Sequence, residues 1–275
     1  MTDYILQTEN LCYTYPDGIA ALCGVNMKIE IGSKVFFHGA NGAGKTTLFQ
    51  CLNGLLGIKR GTVRIHGKIV QKETERMKQI GIVFQNASDQ IICGSVFDEI
   101  AFGPLNRGFS LELVKQRVQH SMEIMGIEHL RNKPPHFLSY GEKKRLAIAS
   151  VLSMDQEIVI LDEPTSGLDA NQKAELIGVL DRLVDEGRTL LISTHDADFS
   201  FRCADRIMVL DHGRLICDDT PEKVFLHREI MEKSKLVKPI LMEVYENLVE
   251  YGYIMHSRIP TDMKQFTQML GNNHE

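Results

Sequence analysis

No stretch of this 275-residue chain approaches the ~18 uncharged apolar residues that a membrane-crossing helix requires. Met1-Thr2-Asp3-Tyr4 also lacks the basic region and long apolar core of a secretion signal. The six cysteines (Cys12, Cys23, Cys51, Cys93, Cys203 and Cys217) form no C-x-x-C pair and are scattered through apolar surroundings. That pattern reads as buried free thiols in a reducing compartment. The ten histidines have no metal-ligand spacing. Basic excess is missing too: 31 Lys and Arg against 36 Asp and Glu leave a formal charge of −5, which is no polyanion-binding footprint. Internal repeats, low-complexity linkers and sustained heptads are all absent. Nucleic acid is therefore not an expected partner.

What remains is an ordinary soluble composition, 43% apolar and 24% charged, long enough to bury a full core in one large domain or one domain plus an appendage. Within it, Gly39-Ala40-Asn41-Gly42-Ala43-Gly44-Lys45-Thr46-Thr47 matches G-x-x-x-x-G-K-[ST]. The apolar, β-favouring Val35-Phe36-Phe37-His38 precedes it, and Leu48, Leu52 and Leu55 follow at helical spacing. The glycines thus sit at a strand-to-helix turn, where inward-pointing N–H groups and the positive helix end favour an anion. The loop is expected to wrap the α- and β-phosphates of a nucleotide. Lys45 should reach the β- and γ-phosphates, and the Thr46 hydroxyl should bind Mg²⁺.

Short strands are expected at Tyr4–Leu6, Val25–Ile29, Val35–Phe37 and Ile80–Phe84, with an edge strand and turn over 62–70 and a turn at Tyr15-Pro16-Asp17-Gly18. Further apolar runs at 156–161 and 189–193 flank a helix marked by Leu176, Leu180 and Leu183. Helical periodicity runs through 110–131, and 206–217 reads as a hairpin turning at Asp211-His212-Gly213. Strand–helix–strand alternation of this kind argues for a mainly parallel sheet. Near the end, Pro239 and Gly252 bracket a stripe of Ile240, Leu241, Val244 and Leu248, and Met263, Phe266, Met269 and Leu270 fit a second helix ahead of Gly271. Both stripes must bury against the main body or a second subunit.

Two more elements carry chemistry. Ile158-Val159-Ile160-Leu161 is a buried strand that ends in Asp162-Glu163. Ligand sites in parallel sheets lie at the carboxyl ends of strands. Adjacent strand side chains point opposite ways, so the two carboxylates are expected to divide the work. Asp162 would hold Mg²⁺ through water, and Glu163 would be general base towards the attacking water. Without the glycine loop the pair would read as a polar strand terminus. Ser139-x-x-Glu142 is a capping box ahead of Leu146, Ala149 and Leu152. It reads either as a well-capped helix start or as a second phosphate site at a helix N-terminus.

Taken in order, the glycine loop, Gln85, Leu138-Ser139-Tyr140-Gly141-Glu142, Asp162-Glu163, Ser166-Gly167-Leu168-Asp169 and His195 resemble an ABC-transporter ATPase subunit over about residues 1–220. The resemblance implies an α/β P-loop NTPase with a mainly parallel core sheet, an N-terminal antiparallel β part, a helical signature subdomain near 86–155 and a C-terminal helical extension. The division would fall at 1–225 and 226–275. It implies ATP hydrolysis with Mg²⁺. Tyr15 would stack on adenine. Gln85 would touch Mg²⁺ and the attacking water and sense a membrane partner. Ser139 and Gly141, with Glu142 completing the cap, would meet the γ-phosphate of ATP bound to another subunit. Asp169 would stand at the subunit boundary and His195 would hydrogen-bond the γ-phosphate. Tyr140 and Glu142 depart from the commonest signature, L-S-G-G-Q.

Tyr13-Thr14-Tyr15-Pro16-Asp17-Gly18, Val83-Phe84-Gln85-Asn86 with Asp89-Gln90-Ile91, Ala101-Phe102-Gly103-Pro104-Leu105-Asn106 and Gly141-Glu142-Lys143-Lys144-Arg145 are similar to energy-coupling-factor (ECF) importers, especially the cobalt and nickel members. That subgroup implies a second ATPase subunit, identical or homologous, together with a transmembrane coupling subunit and a substrate-binding membrane subunit. It implies a peripheral position on the cytoplasmic face of the cell membrane. Residues 86–106 would meet the coupling helices, and the tail after 225 would help hold the ATPase pair. A vitamin as cargo, a soluble ABC ATPase acting on nucleic acid or ribosomes, and a P-loop kinase are the alternatives. The second fits poorly with one cassette and no basic stripe, and the third leaves Ser139, Glu142 and His195 without a task.

Overall fold

The computed structural model describes residues 4–255 and 258–272. Met1-Thr2-Asp3, read above for a secretion signal, lie outside them. Two sheets form the frame. The first is antiparallel, in the order β2-β1-β4-β5, built from β1 (Tyr4–Thr14), β2 (Ala20–Glu30), β4 (Arg60–Ile65) and β5 (Lys68–Ile69). The second holds β3 (Lys34–His38), β6 (Ile80–Val83), β7 (Ile158–Asp162), β8 (Thr189–Ser193), β9 (Arg206–Asp211) and β10 (Arg214–Asp219) in the order β10-β9-β3-β8-β7-β6. All its pairings are parallel except the β9–β10 hairpin.

Eleven α-helices among the described residues complete the fold. They are α1 (Lys45–Asn53), α2 (Glu73–Gln79), α3 (Val96–Asn106), α4 (Leu111–Met125), α5 (Tyr140–Leu152) and α6 (Ala170–Asp185), followed by α7 (Ala197–Cys203), α8 (Pro221–Leu226), α9 (Arg228–Ser234), α10 (Ile240–Glu250) and α11 (Met263–Asn272). None is long and apolar enough to cross a membrane.

The apolar runs in the sequence follow from burial on both faces of the parallel sheet. Val35, Phe37, Ile158, Ile160, Leu191, Met208 and Leu210 face a core shared with α1 and the antiparallel sheet. Their neighbours Phe36, Val159, Leu161, Leu190, Ile192, Ile207 and Val209 face a second core shared with α3 to α6. Strand side chains alternate, so successive apolar residues serve opposite faces and the middles of the strands are apolar throughout. Phe225, Met242, Tyr245, Ile254 and Ile259 join the second core, which seats the C-terminal helices on the main body. α8 runs through residues 225 and 226 without a break.

Several expected bounds move, for local reasons. β1 continues past Leu6 to Thr14 because bulges shift its register, with Asn10 at φ 51°, so its apolar spacing is no longer two. The helix expected over 110–131 ends at Met125. Ser110 caps its start, and Gly126 adopts the left-handed conformation at its end. α1 stops before Leu55, at Gly54. Pro239 is the N-cap of α10 rather than part of its first turn, and α11 runs through Gly271 to Asn272.

Candidate functional site

The parallel register brings three chain reversals together. Asp162 aligns with Ser193, and Ser193 aligns with Phe37, so the segments following β7, β8 and β3 leave the sheet side by side at its carboxyl edge. The glycine loop follows β3. At Gly39 (φ 144°) an added Cβ would lie 2.3 Å from Leu210 O, and at Gly44 (φ 105°) it would lie 2.7 Å from Ala21 O. Only glycine fits either place. Gly44 is the N-cap of α1, and neither a side-chain cap nor a first-turn carboxylate covers the helix end. Its amides are left for an anion. Lys45 is buried and folds back, Nζ donating to Gly39 O at 2.7 Å and Ala40 O at 3.4 Å. Burial pulls its ammonium below the ordinary lysine value, and Glu163 and Asp162 partly restore it. Beneath the loop, burial with the nearby Lys45 charge pushes the His38 ring down to about 3, so no second cation competes there.

The buried Asp162 carboxylate is gripped by two hydroxyls. Thr46 Oγ1 donates to Oδ2 at 2.8 Å, and Ser193 Oγ donates to Oδ1. Glu163 lies just past the strand at φ 50°, where a non-glycine residue costs about 1–3 kcal/mol. Its amide donates to Ser193 Oγ at 2.9 Å and Ser193 O at 3.2 Å. This conformation corrects the expectation that the two carboxylates point opposite ways: strand alternation ends at Asp162, and both side chains line one cleft. Glu163 Oε2 accepts His195 N at 3.2 Å. Oε1 lies 3.2 Å from His195 Nε2 yet is buried without a hydrogen-bond partner. Burial raises the Glu163 carboxyl above its ordinary value, against the pull of His195 and Lys45.

The cleft measures ≈ 640 Å³ and is lined by Tyr15, Asn41, Gly42, Ala43, Gly44, Lys45, Thr46, Thr47, Gln85, Asp162, Glu163 and His195, together with Asp17, Ile19, Ala20 and Ala21. Tyr15 stands at its mouth with its hydroxyl 2.8 Å from Thr47 Oγ1. Gly39 and Ala40 lie under it, holding Lys45 through their carbonyls. The residues fit a nucleotide with Mg²⁺. Thr46 and Asp162 offer adjacent hard oxygens, Glu163 Oε1 is an acceptor without a donor, and the amides of α1 are open. Among the described residues no group of three or more His, Cys, Asp and Glu could hold a metal ion.

Ser139, Gly141, Glu142 and Asp169 do not line this cleft. They form a second place. Ser139 and Glu142 close the capping box of α5, at 3.3 Å and 2.6 Å, and the hydrogen bond from the Ser139 amide holds the Glu142 carboxyl below its ordinary value. Asp169 and Gln172 close a second box on α6. The two helix starts abut, since a Cβ on Gly141 would lie 2.7 Å from Gln172 Nε2.

Sequence reading missed Ser193, the Asp169–Gln172 box and Lys144. D-x-x-Q ahead of an apolar stripe was a readable signal for the box. Nothing local marks Lys144, a charged residue in a helix start that turns out fully buried.

The ABC transporter family model matches residues 22–166. The Energy-coupling factor transporter ATP-binding protein EcfA of Carboxydothermus hydrogenoformans is 40% identical, covering 96% of this chain and 97% of its own length. EcfA of Methanocaldococcus jannaschii is 41% identical, covering 91% and 94%. A putative ABC transporter ATP-binding protein of Methanosarcina mazei is 42% identical over 97% of this chain, which spans 60% of that relative. Among solved structures, cbiO1 from Clostridium perfringens, part of the ABC transporter complex cbiONQ, superposes with TM-score 0.78 at 38% identity, covering 90% and 99%. Ser139→Ala should cost ~0.5–2 kcal/mol in urea unfolding, because it strips the α5 cap. An unchanged midpoint would mean that the box contributes nothing.

Proposed function

This chain belongs to the ABC transporter family of ATP-binding proteins, and from that premise we propose that it is the ATP-hydrolysing subunit that powers import of a small nutrient through separate membrane proteins. Members of this family are ATPases coupled to transport and use ATP with Mg²⁺. The observation that carries the reading is the separation of two half-sites in one chain: an open phosphate cradle around Lys45, and a capped helix pair around Ser139 and Asp169 that stands outside it.

The cradle binds the phosphates through the α1 amides and Lys45, with Tyr15 placed against the base. Thr46, Gln85 and Asp162 would hold Mg²⁺, which when bound would supply positive charge to offset that developing on the phosphates. Glu163 takes the proton of the attacking water through Oε1, and His195 contacts the γ-phosphate. Such a site is incomplete in one protomer. A second copy supplies Ser139 and Gly141 to the γ-phosphate, and Asp169 lies at the boundary between copies. Loss of the γ-phosphate bridge then opens the pair.

Ile92 at 68% exposure, Phe102 at 45% and Leu105 at 46% are exposed apolar side chains within 86–106. Such exposed apolar side chains suit contact with the transmembrane coupling subunit of an ECF importer, with a substrate-binding membrane subunit beyond it. The chain would then work peripherally at the cytoplasmic face of the cell membrane, with residues 226–275 as an extension serving the ATPase pair. Cobalt or nickel ion is the cargo that the subgroup resemblance favours.

Glu163→Gln should keep ATP binding, lose about 10²–10⁴-fold in turnover, and trap an ATP-bound dimer on size-exclusion chromatography. Parental turnover in that variant would refute the base assignment. The pH profile follows from the burial of the same carboxyl. Glu163 must be ionised to accept a proton, and its pKa lies above the ordinary 4.5, so the base is lost at higher pH than a free glutamate would lose it. A plot of kcat/KM for ATP against pH should fall on its acid side with an inflection above 4.5. An inflection at or below that value contradicts the assignment.

A further inference from the structure

A glutamate at positive φ persists only when the surroundings hold the peptides on both of its sides. Ser193 holds the amide side of Glu163. The carbonyl side is held by Lys144, whose Nζ donates to Glu163 O at 3.1 Å and to Ser166 O at 3.2 Å. Lys144 is only 2% exposed. It stands on α5, which begins at the Ser139 cap. Tyr140 completes the arrangement. Its ring centroid lies 5.3 Å from Lys144 Nζ, and the same ring abuts Gly167, where a Cβ would come within 2.6 Å of Tyr140 Cε1. The start of α5, the buried ammonium and the 163–167 segment are therefore one packed strut. Tyr140, the departure from the commonest signature, is part of it rather than a defect in it.

We propose that Lys144 is a positioning residue for Glu163, and that through it the Ser139 end of α5 sets the aim of the general base. This rests on the reading of Glu163 given above and extends it. Ser139 reaches the nucleotide of the partner protomer, while Lys144 on the same helix grips the backbone of this protomer's own base. Seating of one nucleotide against α5 thereby aligns the carboxylate that takes the proton of the water attacking the other. Carbonyls 3.1 and 3.2 Å from one buried ammonium leave little slack, so a small displacement of the α5 start is passed directly to the Glu163 peptide.

The test compares full-length Lys144→Met, Lys144→Arg and Glu163→Gln, reading Mg²⁺-dependent binding of a fluorescent ATP analogue separately from steady-state kcat. A misaimed base costs turnover and leaves binding intact. Lys144→Met should bind the analogue within about twofold of the parent while kcat falls ~10–100-fold, and Lys144→Arg should recover kcat to within about threefold. Adding Lys144→Met to Glu163→Gln should lower the residual rate no further, because the two changes act on one step. Should Lys144→Met not fold, Lys144→Gln, with a donor on a shorter stem, replaces it under the same criteria. The inference is overturned if kcat stays within about twofold of the parent, or if kcat and binding fall together and arginine restores neither. Parental turnover by Glu163→Gln would strike down the base reading and this inference with it, whereas the Lys144 outcomes strike the inference alone.

Discussion

The Asp162 carboxylate ties together the exits of three neighbouring parallel strands. It ends β7, accepts Thr46 from the helix that follows β3, and accepts Ser193 at the end of β8. Buried charge of this kind is tolerable only when its lone pairs are met by donors, and two hydroxyls meet them here. Everything catalytic hangs from that knot. The phosphate loop is pinned from below by Lys45 on its own carbonyls, Glu163 is turned into the cleft by the Ser193 contact, and His195 follows two residues later along the same chain exit. The two-sided apolar sheet supplies rigidity behind it.

In the proposed mechanism, half of the machinery lies elsewhere. The cradle offers unpaired backbone donors and an acceptor without a donor, so it is built for a ligand that the chain alone does not supply. The helix starts at Ser139 and Asp169 have satisfied their own boxes and lie outside the lining of the cradle. A protein that hydrolysed ATP with one chain would gather both at one cleft. The division instead favours closure over a shared nucleotide, and the Lys144 strut gives each half a route to the other.

Much of this was legible in the sequence because the signals were local. The glycine loop was placed at a strand-to-helix turn, where β3 does lead into α1, the run from Ile158 to Glu163 named the carboxylate strand, and Ser139-x-x-Glu142 named a cap that the structure makes. What stayed hidden depended on register or tertiary burial. The bulges of β1 broke the period that alternation needs, so its length was underestimated. The common cleft of Asp162 and Glu163 depended on a positive φ that no glycine advertised. Ser193 and Lys144 act through partners 31 and 19 residues away, and no spacing rule reaches that far.

The central claim is that two protomers share each nucleotide, one by its Lys45 cradle and the other by its Ser139 helix. Mixing a Lys45→Ala protomer with a Ser139→Arg protomer tests it most directly, with ATP turnover as the readout. Each variant alone should be inactive, and the mixture should regain turnover of at most about a quarter of the parental value, since half of the dimers are mixed and each of those carries one intact site whose base lacks a nucleotide seated against its own α5. No recovery on mixing, with full-rate hydrolysis by isolated monomers of the parent, would contradict the account.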